Sequence, residues 1–208
     1  MTDAPSIDTA LNAPARRALP GRVVVVHGFG ATPDDHWFPW LRAELRSDGV
    51  AAAALTLPRP LAPDPRTWHD ALAGDLGVPD ESTWIVAHSL GVVTALRVLA
   101  GLPGSWHLGG LVLVSGFTGP LGALPELDPY LSDDIADGEL ARIRARTRTI
   151  TALRSDHDAI VPAAATDLLA HRLGVRPVVV PGAGHFLAED GVTRLALVLD
   201  LVRGAVTG

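Results

Sequence analysis

The sequence predicts a doubly wound, mostly parallel α/β sheet with helices on both faces, and three observations point there. Short β-branched apolar runs recur along the chain, helix-compatible segments separate nearly all of them, and most of the runs lack polar alternation. A strand covered by helices on both faces has no solvent side, so it reads as a continuous apolar run rather than an alternating one. Strands and helices that alternate in this way close onto one sheet through right-handed crossovers.

The runs are Val23 to Val26, Ala52 to Leu57, Trp84 to Ala87, Leu111 to Val114, Ile150 to Leu153 and Val178 to Val180. After the first, Thr32-Pro33-Asp34-Asp35 offers an N-cap, a proline at the first helical position and early carboxylates that suit the helix dipole. A helix is expected from there to Gly49, kinked or restarted at Pro39. Further helices are expected at Pro65 to Leu76, Leu90 to Leu102, Ala163 to Leu173 and Gly191 to Val202. Residues 116–148 break the alternation, with Pro120, Pro125, Pro129 and several glycines ahead of an acidic, helix-compatible stretch. This insertion could form a small flap over the carboxyl edge of the sheet, where open α/β sheets bind their ligands.

A length of 208 residues suits one domain, expected over residues 21–208 behind a flexible leader at residues 1–20. With 48% of residues hydrophobic and 19% charged, the chain can build a core without staples. It has no cysteine, which excludes disulfides, thiolate metal sites and a cysteine nucleophile. All 17 basic residues are arginine, so lysine Schiff-base chemistry and a P-loop lysine are excluded as well. A net charge of -6 with mixed signs provides no basic face for nucleic acid. The leader carries Asp3 and Asp8 and lacks a signal-peptide apolar core, and no apolar run nears the roughly 20 residues of a membrane span. The expectation is a cytoplasmic protein with neither membrane nor nucleic-acid partner.

The chemistry begins at Ala87-His88-Ser89-Leu90-Gly91, where a buried run passes abruptly into a helix. Such a strand-to-helix turn forces the serine into strained backbone angles at the tip of the sheet, and it needs small neighbours two residues away on either side. Ala87 stands where the G-x-S-x-G pattern has glycine, a departure of one methyl group. A serine is a weak nucleophile until a base within hydrogen-bond reach, itself oriented by a carboxylate, takes its proton. Downstream, Ser155-Asp156-His157-Asp158 follows one apolar run and Gly182-Ala183-Gly184-His185-Phe186 follows the last. The order Ser89, Asp158, His185 is that of the α/β-hydrolases, and Asp158 is preferred over Asp156 because it precedes Ala-Ile-Val-Pro, while Asp156 is expected to shape the turn. The two acids share one loop, so the reverse assignment stays open. Backbone N–H groups of Leu90 and of Phe29, in His27-Gly28-Phe29-Gly30, are the expected oxyanion hole. His27, Trp37, Phe117 and Phe186 are candidates for the substrate pocket. His27 and His88 lack a third ligand at metal-binding spacing, and no cofactor motif is present, so neither metal nor cofactor is expected.

Taken in order, His27-Gly28-Phe29-Gly30, His36-Trp37-Phe38-Pro39-Trp40-Leu41, His88-Ser89-Leu90-Gly91, Asp158-Ala159-Ile160-Val161-Pro162 and Gly184-His185 make the chain resemble the retinoblastoma-binding-protein-9-like serine hydrolases, especially their small bacterial YdeN-type members. The resemblance spans roughly residues 22 to 203. It implies an α/β-hydrolase fold with little or no cap, a Ser-Asp-His triad, no metal, and hydrolysis of small esters or related acyl compounds. The retinoblastoma-binding role that names the family depends on a cysteine-containing motif, so no specific protein partner is carried over to this cysteine-free chain. An aminopeptidase or acyltransferase would use the same triad, and a catalytically silent binding module would keep the same fold.

Overall fold

A computed structural model describes residues 19–204. The expected leader, apart from Leu19 and Pro20, lies outside the described residues.

The six apolar runs become six strands, β1 (Arg22–Val26), β2 (Ala51–Leu55), β3 (Thr83–His88), β4 (Gly110–Val114), β5 (Ile150–Ser155) and β6 (Val178–Val180). They form one sheet in the order β2-β1-β3-β4-β5-β6, and every neighbouring pair is parallel. Among the described residues six α-helices accompany them, α1 (Phe38–Ser47), α2 (Pro65–Leu76), α3 (Leu90–Gly101), α4 (Asp137–Arg146), α5 (Ala163–Arg172) and α6 (Ala196–Arg203). The chain moves outward from β1 to β2, then crosses back to β3 and proceeds the other way. That reversal makes β1/β3 the topological switch point, and ligands of open α/β sheets bind beyond the carboxyl ends of the strands at such a point.

The continuous apolar strands serve two cores. Val24, Val26, Ile85, Ala87, Leu111 and Leu113 face one core, closed by Trp68 and Leu72 of α2, most of α3, Leu140 and Ile143 of α4 and Leu169 of α5. Their neighbours Val23, Val25, Trp84, Val86, Val112 and Val114 face the other, closed by Phe38, Leu41 and Leu45 of α1 and Val198 and Leu199 of α6. Helix α3 is buried on almost all sides, which holds rigid the element that begins directly after Ser89.

Two helices start later than expected. Thr32 donates both its N–H and its hydroxyl to Asp35 Oδ2 at 2.7 Å, closing a turn instead of capping a helix. His36 then takes φ 56°, which no right-handed helix accommodates, and α1 begins at Phe38 with Pro39 in its first turn. The segment from Gly191, at φ 81°, stays in turns until α6 begins at Ala196. Residues 116–148 are a packed cover and not a detached flap. Leu121, Leu127, Tyr130, Leu131 and Ile135 enter the first core, and Thr94 Oγ1 meets Tyr130 Oη at 2.7 Å. Arg97 donates to the carbonyls of Tyr130 and Asp133, while Arg172 reaches Asp137, Asp134 and the carbonyl of Ile135. Among the described residues no helix is long and apolar enough to cross a membrane.

Candidate active site

At the carboxyl end of β3 the chain turns through Ser89, with φ 53° and ψ -125°, directly into α3. A residue with a Cβ rarely adopts such angles, at a cost on the order of 1–3 kcal/mol, and the surrounding packing must hold it there. Gly91 shows how tight that packing is. A Cβ at this position would lie 2.5 Å from the His27 carbonyl oxygen and 2.6 Å from that of Val26, so only glycine lets the first turn of α3 rest on β1. Ala87 is fully buried and its methyl is accommodated, so the departure from the G-x-S-x-G pattern leaves the turn intact.

Ser89 Oγ lies 3.0 Å from His185 Nε2, and His185 Nδ1 lies 2.8 Å from Asp158 Oδ2. In this arrangement the serine hydroxyl donates to Nε2 and the Nδ1–H donates to the carboxylate. The structure thus brings Ser89, Asp158 and His185 together from the ends of three different strands. Asp156 stands apart: its Oδ1 accepts the N–H of Gly182 at 2.7 Å and ties the loop after β5 to the loop after β6.

The carboxylate of Asp158 is fully engaged. Oδ1 accepts the N–H groups of Ile160 and Val161, both at 2.9 Å, and Oδ2 accepts the Ser115 hydroxyl at 2.8 Å besides His185. Burial pushes this carboxyl up, but the hydrogen bond and charge of His185 and the two N–H donors outweigh it and hold Asp158 below the usual carboxylate range. Ser115, at the end of β4 with φ 46°, was not a candidate in the sequence. Its one sequence signal is a polar residue closing the buried run Leu111 to Val114 at the sheet's carboxyl edge.

Gly28 packs against Ser89, since a Cβ there would lie 2.9 Å from Ser89 Cβ. This brings the loop after β1 to the serine. Among the described residues the N–H groups of Phe29 and Leu90 make no hydrogen bond to a protein acceptor. The next N–H in the loop, that of Gly30, is taken by the Pro60 carbonyl at 2.9 Å, and Leu61 beside it is 76% exposed.

The pocket candidates turn out differently. Trp37, Phe117 and Phe186 each have 0% exposure, and Trp37 and Phe186 fill the core on the α1 side while Phe117 fills the other. Large aromatic rings gain more from burial than from lining a wet opening, and here the core takes all three. His27 is equally enclosed: its Nδ1–H donates to the Gly28 carbonyl at 2.9 Å and its Nε2 accepts the Leu57 N–H at 3.1 Å. It braces the loop after β1 and is closed off from solvent. Among the described residues no group of three or more acidic or imidazole side chains is placed to hold a metal ion.

Burial lowers the pKa values of His27, His36 and His88 below the usual imidazole range, that of His88 well below it. The unfolded chain takes up protons on these rings below about pH 6.5, whereas the folded chain resists doing so. Stability is therefore greatest above that pH and is lost as pH falls through it. Denaturant midpoints measured at pH 8, 6.5 and 5.5 should decline on the acid side, and a level midpoint across that range would contradict these ring environments.

The chain is similar to known proteins over most of its length. The serine hydrolase family matches residues 23–203. YdeN of Bacillus subtilis (strain 168), named as a hydrolase, is 37% identical over 181 residues, covering 87% of this chain and 94% of YdeN. The crystal structure of the ydeN product from B. subtilis superposes with a TM-score of 0.83 at 36% identity, covering 88% of this chain and 97% of that one. The serine hydrolase RBBP9 of Rattus norvegicus is 27% identical over 173 residues, covering 81% of this chain and 89% of the relative. A monoacylglycerol lipase of Paleococcus ferrophilus shares the fold, with a TM-score of 0.62 at 16% identity over 90% of this chain and 96% of its own.

Proposed function

The chain belongs to the serine hydrolase family, with the α/β-hydrolase fold, and from that premise we propose that it hydrolyses small esters of apolar acids by acyl transfer through Ser89. The observation that carries this reading is the unbroken relay of Ser89 Oγ, His185 and Asp158, at 3.0 Å and 2.8 Å. His185 takes the hydroxyl proton as Ser89 Oγ attacks the ester carbonyl carbon. The carbonyl electrons move onto oxygen, where the N–H groups of Phe29 and Leu90 stabilise the charge. Collapse of this intermediate expels the alcohol, which receives the proton from His185 and leaves an acyl-serine. Water, deprotonated by the same imidazole, attacks the acyl carbon and releases the acid. Asp158 fixes the His185 tautomer and stabilises its charged form throughout.

The substrate class is inferred from apolar side chains on the loops that carry or adjoin the triad. Phe29 and Ile160 are apolar and partly exposed, and Leu61 reaches within 3.5 Å of the point where a Gly30 Cβ would sit. An apolar acyl or alkoxy group suits these neighbours better than a charged aminoacyl group does. We take the enzyme to act in the cytoplasm on small molecules, without cofactor, membrane, nucleic-acid or protein partner. A turnover assay with p-nitrophenyl esters of graded chain length beside aminoacyl p-nitroanilides tests the substrate class. The expected result is kcat/KM at least about 100-fold higher for the best ester, the discrimination that one or two well-placed apolar contacts supply. A preference for the aminoacyl set would replace this reading with an aminopeptidase.

A further inference from the structure

We infer that His88 is a positioning residue for the general base: its Nε2–H donates to the His185 carbonyl and its ring supports the His185 ring, pinning the base loop to the nucleophile strand. The inference rests on the triad reading above. His88 Nε2 lies 2.8 Å from the His185 carbonyl oxygen, a bond that joins residues 97 apart in the chain. The two rings are tilted 48° apart with centroids 4.8 Å from one another. One imidazole thus fixes both the backbone of His185 and the face of its ring.

The geometry also fixes the tautomer. An Nδ1–H form would place the Nε2 lone pair against a carbonyl oxygen at hydrogen-bond distance, which is repulsive, so the proton must sit on Nε2. Nδ1 is then left buried without a protein partner. An apolar side chain would fill this space without that cost, so packing alone is a poor account of a histidine here. The groups around His88 are the rings of His36, Trp37 and Phe38, at 5.9, 6.3 and 6.0 Å, together with His185 and, beyond it, Asp158. Burial of the ring, with His185 beside it, disfavours a charged His88, so it can hold the base without competing for its proton.

Neighbouring ties act on the same loop. His36 Nδ1 accepts the Ala188 N–H at 3.1 Å, and Asp190 Oδ2 accepts the N–H groups of His185 at 2.7 Å and Leu187 at 3.1 Å. His88 differs from them in touching both the backbone and the ring of the base. It also lies in the strand that leads into Ser89, so it ties the base directly to the nucleophile's own strand.

The test compares wild type, His88→Phe and His88→Gln by the rate of fluorophosphonate labelling at Ser89 and by kcat and KM on the best ester. Phenylalanine keeps a ring but removes the donor, whereas glutamine returns an N–H near the Nε2 position. A displacement of about 1 Å at a reacting centre can cost 10²-fold, so His88→Phe should label and turn over about 10- to 100-fold more slowly, with KM within about threefold. His88→Gln should recover at least half of that loss on a logarithmic scale. Equal rates in wild type and His88→Phe, or no recovery with glutamine, would overturn the inference. Failure of wild type to label at all would instead overturn the triad reading. If His88→Phe does not fold, ¹⁵N NMR of histidine-labelled wild type decides: an Nε2–H ring that stays neutral from pH 8 to 5.5 supports the inference, and an Nδ1–H or titrating ring defeats it.

Discussion

Ser89→Ala should lower kcat on the best ester by about 10⁵- to 10⁶-fold while leaving KM within a few-fold, the scale seen when a hydrolase loses its nucleophile. Alanine removes only Oγ, so the Phe29 and Leu90 N–H groups and the approach to them remain. A residual acceleration of roughly 10³ over water is therefore expected from binding and oxyanion stabilisation alone. The same position yields an effect of opposite sign on stability. Ser89 sits at φ 53° and ψ -125°, where only glycine is free of steric cost. Ser89→Gly should be as inactive as the alanine variant yet more stable than it by about 1 kcal/mol, read from denaturant midpoints. An alanine variant with turnover near wild type would mean that another group attacks the substrate. A glycine variant less stable than alanine would mean that this strand-to-helix turn, a nucleophile elbow, carries no strain.

The second large effect separates two carboxylates two residues apart. Asp158→Asn should lower kcat by about 10⁴-fold, because an amide can donate to Nδ1 and stabilise the wrong imidazole tautomer. Asp156→Asn should stay within a few-fold of wild type, since an amide oxygen can still accept the Gly182 N–H that Asp156 now holds at 2.7 Å. The comparison is informative because both variants change one acid to its isostere in the same loop. Equal losses in the two would mean that the loop's shape, and not its partnership with His185, is what the mutations disturb.

The sequence made the sheet legible because burial on two faces leaves a strong trace: each of the six apolar runs contains or overlaps a strand. The elbow was legible for a related reason, since a serine between a buried strand and a buried helix has few other uses. The starts of α1 and α6 were not legible. Thr32 and Asp35 have the composition of a helix cap, but they satisfy each other in a turn, and the positive φ of His36 and Gly191 is a property of the folded backbone. The pocket candidates failed for an energetic reason. Trp37, Phe117 and Phe186 stand next to the functional motifs in the chain, yet aromatic burial drew each into a core. Ser115, Asp190 and Leu61 leave no motif in the sequence because each contacts a segment distant in the chain or acts through a turn. Leu61 reaches Gly30 by way of the Pro60 carbonyl, a contact between loops after two different strands. In the sequence His88 shows only that it lacks metal-binding partners, and what it supports becomes apparent only when the loop after β6 lies against it.

The most direct measurement of the central claim is mass spectrometry of the folded protein after reaction with a fluorophosphonate. The account predicts a single adduct mapping to the peptide that contains Ser89, absent in Ser89→Ala and strongly slowed in His185→Ala. Folded protein that takes up no adduct, or an adduct that persists in Ser89→Ala, would contradict it.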